Sequence, residues 1–85
     1  MIPGFITLYK GIDNLPHLYF YKGETDEGKP YYNDLDLSKC KYDFTSKVYE
    51  DGAIEYIFNN SNIIRIRYKL YNYKGEEESS VLELK

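Results

Sequence analysis

The chain has 85 residues, enough for one small domain, and its 11 basic against 14 acidic side chains give a formal charge of −3. That balance weighs against a dedicated nucleic-acid binder, whose domains are usually basic, and it is too weak for a mimic of DNA. Eleven Tyr and four Phe can supply a core, which excludes a disordered chain, while Cys40 as the only cysteine excludes an internal disulfide.

The opening segment, Met1 to Ile12, has no basic stretch ahead of its apolar run, and Pro3 and Gly4 interrupt that run. It predicts neither a signal peptide nor a membrane span, so the expected location is the cytoplasm. Eight Ile, nine Lys and six Asn stand against one Ala and two Arg. These preferences point to AT-rich codons, hence to a low-GC bacterium or one of its phages.

Turn signals recur every 8 to 12 residues, at Gly11–Asn14, Gly23–Gly28, Asn33–Asp36, Glu50–Gly52, Asn59–Asn62 and Lys74–Glu78. Runs rich in Ile, Tyr, Phe, Thr and Val lie between them, an antiparallel all-β pattern. Taken in order, strands are predicted at Phe5–Tyr9, Leu18–Lys22, Lys29–Tyr32, Lys41–Tyr49, Ala53–Phe58, Ile63–Tyr73 and Val81–Leu84, with one short helix at Asp34–Lys39. The expected fold is a single all-β domain, a small antiparallel sheet curled into a barrel or two-layer sandwich around a meander from Lys41 to Tyr73.

That meander can be given a register. A three-residue loop Glu50-Asp51-Gly52 ends on a residue suited to the left-handed conformation. It sets Val48 opposite Ile54, Ser46 opposite Tyr56 and Phe44 opposite Phe58. A similar loop at Asn60-Ser61-Asn62 would set Phe58 opposite Ile64, Tyr56 opposite Ile66 and Ile54 opposite Tyr68. The apolar side chains then share one face, and Lys47, Glu55 and Arg67 run across the other with opposite charges adjacent. A one-residue slip would turn every side chain over.

On that reading Arg67 is neutralised by Glu55. Arg65 and Lys69 are the surplus cations, with Tyr71 and Tyr73 continuing their face. Unpaired cations beside stacking aromatics are what a nucleic-acid grip needs. A solvated strand face has the same composition.

Tyrosines elsewhere point to protein contact. "LYFYKG" carries Tyr19 and Tyr21 on the face opposite Phe20, and "KPYYND" carries Tyr31 and Tyr32. Tyr offers a large amphipathic area at low entropic cost, which suits interfaces. It also suits a ring packed inside with a wet hydroxyl. The acidic loop with Glu24, Asp26 and Glu27 could meet a basic partner.

His17, the single histidine, and Cys40 cannot make a metal site between them. Nothing local joins them as a catalytic pair, so both read as structural. The chain has no P-loop, no glycine-rich dinucleotide turn and no CxxC, and no cofactor is expected.

The function expected from these features is non-catalytic binding, by an inhibitor that occludes a larger host protein or defence complex. Such a protein would be encoded by a phage or mobile element, as an anti-CRISPR or other anti-defence protein is. The second reading is an OB- or SH3-like nucleic-acid binder using Arg65, Arg67, Lys69 and Tyr71. The third is a structural subunit or a homodimer built on an edge strand.

Overall fold

A computed structural model describes residues 4–35, 43–59 and 64–84. Seven strands fill these residues: β1 (Phe5–Lys10), β2 (Pro16–Tyr21), β3 (Tyr32–Asp34), β4 (Phe44–Val48), β5 (Ile54–Phe58), β6 (Ile64–Tyr71) and β7 (Glu77–Leu84). They form two antiparallel sheets, one in the order β1-β2-β5-β4 and one in the order β3-β6-β7. The sheets face each other as an open sandwich and do not close into a barrel. The described residues contain no helix. The helix expected at Asp34–Lys39 begins on a residue of β3, and its remainder from 36 onward lies outside the described residues, as does Cys40.

One turn chemistry builds the hairpins. At residues 11–15, 25–29, 49–53 and 72–76 the first N–H donates to the fifth carbonyl, and the fourth N–H donates to the first carbonyl. Each is a three-residue loop whose last member is left-handed: Asn14 (φ 66°), Gly28 (80°), Gly52 (90°) and Gly75 (77°). Such loops favour glycine or asparagine there, since a Cβ is strained at positive φ. Short side chains brace the loops. Asp13 accepts from the Leu15 N–H, Asp51 from the Ala53 N–H, and Asn72 from the N–H groups of Lys74 and Glu76.

The 50–52 loop fixes the β4–β5 register as the sequence implied, with Phe44 opposite Phe58, Ser46 opposite Tyr56 and Val48 opposite Ile54. The second half of the meander is corrected. β5 pairs on its other side with β2, placing Tyr19 opposite Glu55, and β6 crosses to the second sheet between β3 and β7. The expected pairing of Phe58, Tyr56 and Ile54 with Ile64, Ile66 and Tyr68 does not form. Phe58 still meets Ile66, and Ile54 and Tyr56 pack against the cluster that holds Tyr68, but across the sandwich rather than side by side. The proposed 60–62 loop lies outside the described residues.

Alternation makes the core. Leu18 and Phe20 of β2, Phe58 of β5, and Ile66 and Tyr68 of β6 are buried, together with Tyr32 of β3. Leu18, Phe58 and Ile66 form one cluster, joined by Ile6, Leu8, Phe44 and Leu82. Phe20, Tyr32 and Tyr68 form a second, whose rings meet edge to face at 6.1 and 5.9 Å and tie the sheets together. Burying a side chain of this size contributes about 1.5–3 kcal/mol.

Candidate binding face

Strand alternation that sends Leu18 and Phe20 inward sends His17, Tyr19 and Tyr21 outward. The register then writes the outer face of the four-stranded sheet in rows. Thr7, Tyr19, Glu55 and Lys47 make one row, Tyr9, His17, Ile57 and Thr45 the next, and Phe5 stands opposite Tyr21. Phe5 and Tyr9 are 50% and 38% exposed. Their rings join a run of contacts: Phe5 to Tyr19 at 5.4 Å, Tyr19 to Tyr49 at 5.7 Å, and Tyr9 stacked on His17 at 5.3 Å. The Lys47 ammonium sits 4.8 Å from the Tyr49 ring centre at the sheet margin.

Glu55 lies buried beneath these rings although it is on the outer face. One carboxylate oxygen, Oε1, accepts from the Tyr49 hydroxyl at 2.8 Å. The other, Oε2, accepts from the Tyr9 hydroxyl and lies 3.3 Å from His17 Nδ1. His17 Nε2 in turn lies 2.9 Å from both oxygens of Asp13. Only a doubly protonated ring donates from both nitrogens, so one proton on His17 serves one carboxylate and two serve both. Tyr9 and His17 belong to the β1–β2 hairpin, Tyr49 and Glu55 to the β4–β5 hairpin. The cluster therefore fastens the two hairpins across the β2–β5 seam.

Hydrogen bonding governs the electrostatics. The Tyr9 hydroxyl bond holds the Glu55 carboxyl below its ordinary range against the opposing effect of burial, and the Tyr49 and His17 contacts assist. The same bond, with desolvation, pushes the Tyr9 phenol up to about 12. Tyr49 is raised by its bond to Glu55. Asp13 is lowered, first by the Leu15 N–H and then by His17. The cluster is suited to holding a surface rigid.

Gly11 makes room for this arrangement. A Cβ placed there would come within 2.5 Å of His17 Nε2 and 2.7 Å of Asp13 Oδ1. At the opposite end of the face, Tyr21 lines a shallow cleft with Glu24 and Asp51, beside Lys22. Carboxylates thus stand at both ends of the aromatic run.

The expected contact residues fall on different surfaces. Tyr19 and Tyr21 lie on this outer face, half-buried. Tyr32 is a core residue at 7% exposure, and Tyr31 is half-buried beside it. Glu24, Asp26 and Glu27 are exposed in the loop that follows β2. Arg65, Arg67, Lys69 and Tyr71 lie on the outer face of the second sheet, with the fully turned-out Tyr73 just beyond. There the expected charge pairing is reversed. Arg67 is far from Glu55 in the topology and stands opposite Val81, whereas Arg65, expected to be surplus, has Glu83 at 3.7 Å. Lys69 stands between Asp34 and Ser79, and Tyr71 opposite Glu77 with the Lys29 ammonium 5.1 Å from its ring. Acids thus adjoin Arg65, Lys69 and Tyr71, while Arg67 faces Val81.

Sequence reasoning missed Glu55, Tyr9, Tyr49 and Asp13 as one cluster. A local signal existed in "GIDNLPH", where a three-residue loop brings Asp13 back toward His17. The link to Glu55 joins residues 38 apart and depends on the β2–β5 pairing.

Among the described residues no group of His, Cys, Asp and Glu is arranged to hold a metal ion, and no helix is long and apolar enough to cross a membrane. No family model matches the chain, and the comparisons with curated proteins and with solved structures find no match either.

Proposed function

We propose that this is a small non-catalytic binding protein that covers a basic surface of a larger protein through the outer face of its four-stranded sheet. The observation that carries this reading is the run of Phe5, Tyr19, Tyr49 and Tyr9 set over Glu55, with Asp13 at one end and Glu24 and Asp51 at the other. Aromatic faces and carboxylates together suit arginine and lysine side chains, by cation–π contact and by charge. A face whose rings are already fixed loses little freedom on binding. The composition alone supports the finer form of this reading, a phage- or mobile-element-encoded inhibitor that blocks a host protein or defence complex in the cytoplasm.

The test is capture from a low-GC bacterial lysate with and without nuclease, using the tagged protein and two double variants. Phe5→Ala with Glu24→Lys should abolish recovery of the partner, and Arg67→Ala with Lys69→Ala should leave it intact. The opposite pattern, combined with loss on nuclease treatment and steep salt dependence, would replace this reading with nucleic-acid binding by the second sheet.

A further inference from the structure

The four edges of the two sheets are not equally protected. β3 is three residues long and bulged against β6, β7 carries Glu77, Glu78 and Glu83, and β1 packs beside β7. Short length, irregularity, charge and cover are the usual protections of an edge. β4 has one charge, Lys47, in the sequence Phe-Thr-Ser-Lys-Val, and Thr45 to Val48 are all exposed. Val48 is 70% exposed although it points to the core side with Phe44.

The ladder shows which backbone groups of β4 point away from β5 and have no partner strand among the described residues. The Tyr49 N–H donates to the Ala53 carbonyl and the Asn59 N–H to the Asp43 carbonyl. Pairs of that parity exchange hydrogen bonds, so Asp43, Thr45, Lys47 and Tyr49 direct their backbone groups to β5. Phe44, Ser46 and Val48 direct theirs away from the sheet.

We propose that β4 pairs antiparallel with β4 of a second copy of this chain, about a twofold axis at Ser46, to make one continuous eight-stranded sheet. Of the antiparallel registers that pair outward groups with outward groups, three overlap the strand by at least three residues. The register that sets Ser46 opposite Val48 puts Lys47 directly opposite Lys47, which cross-strand pairing disfavours. The register that sets Phe44 opposite Ser46 leaves Val48 uncovered. The register that sets Ser46 opposite Ser46 places each Val48 against a Phe44 and each Lys47 against a Thr45. It engages every outward N–H and carbonyl of Phe44, Ser46 and Val48 in both copies. The strand is complementary to itself in this one register, which is why a second copy rather than a foreign strand is the occupant. Both aromatic faces then lie on the same side of the joined sheet. Five paired residues make an interface below the ~1,200 Å² of standard complexes, so a concentration-dependent, micromolar-range dimer is expected.

Sedimentation of the full chain over a range of concentrations should show a monomer–dimer equilibrium. Ser46→Lys and Ser46→Glu should each be folded monomers by circular dichroism, since Ser46 is exposed and its backbone groups face outward. Mixed together, they should recover a dimer, because the proposed axis puts position 46 opposite itself. A wild type that stays monomeric at every concentration overturns the proposal. So does a dimer that both variants retain, or a mixture of folded variants that stays monomeric.

Discussion

The two outer faces of this sandwich come from strands with the same alternation, yet they are held in different ways. On the four-stranded sheet a buried carboxylate takes donors from two hairpins, and the rings above it are fixed. On the three-stranded sheet Arg65, Arg67 and Lys69 are exposed, Arg65 beside Glu83 at 3.7 Å and the other two opposite Val81 and Ser79. Charge on a strand face is therefore a poor guide to its role. What separates the faces is whether the neighbours across the seam can enclose the charge and satisfy it.

The largest expected effect separates them at once. Glu55→Ala leaves two tyrosine hydroxyls and an imidazole nitrogen without their acceptor and should cost about 2–3 kcal/mol in chemical denaturation. Arg67→Ala should stay within about 0.5 kcal/mol. Equal losses would erase the contrast.

Next is Gly11→Ala, whose methyl group must displace His17 and Asp13. It should cost about 1–2 kcal/mol by overpacking and should shift the His17 ring resonances in NMR spectra. An unchanged His17 spectrum would show that the pair does not need that space.

A smaller effect comes from pH, and its sign follows from the shifts. Glu55 and Asp13 are held below their ordinary values, so they contribute stability above the usual carboxylate range of ~4. That contribution is lost as pH falls through their lowered folded values. Tyr9 is raised to about 12, so its contribution is present below the ordinary phenol value and is lost as pH rises through the folded value. Glu55→Gln should flatten the acid limb of a denaturation-versus-pH series. An acid limb that Glu55→Gln leaves unchanged would place its origin elsewhere.

The smallest effect should be that of the Arg65–Glu83 pair, both of whose side chains are well exposed. A double-mutant cycle should return less than about 1 kcal/mol, falling with added salt. A larger, salt-insensitive coupling would mean that the second face is as organised as the first.

These contrasts explain how far the sequence could be read. Gly52 closes a loop of known length, so the β4–β5 register follows from local chemistry. Ile66 and Tyr68 could be assigned to an inward face, but not to a neighbour. Their alternation fits β5 or β7 equally well, and consecutive strands are adjacent only about two-thirds of the time. Expecting β6 beside β5 placed Arg67 next to Glu55 and hid the real partners of both. Tyr19 and Tyr21 could be read as lying opposite Phe20 because the period in β2 is strict. Tyr31 and Tyr32 stand where an irregular stretch enters a three-residue strand, and no period there says which ring goes inside.

The fastening of Glu55 also bears on how the molecule comes apart. Each hairpin closes over three residues and can form in ~1–10 μs, while the β2–β5 seam joins segments far apart in the chain and forms later. A latch made of Tyr9, His17, Tyr49 and Glu55 exists only after that seam is docked. Its loss should accelerate unfolding and leave the folding rate nearly unchanged. In native-state hydrogen exchange the amides along β2 and β5 should then lose protection together, as one cooperative unit.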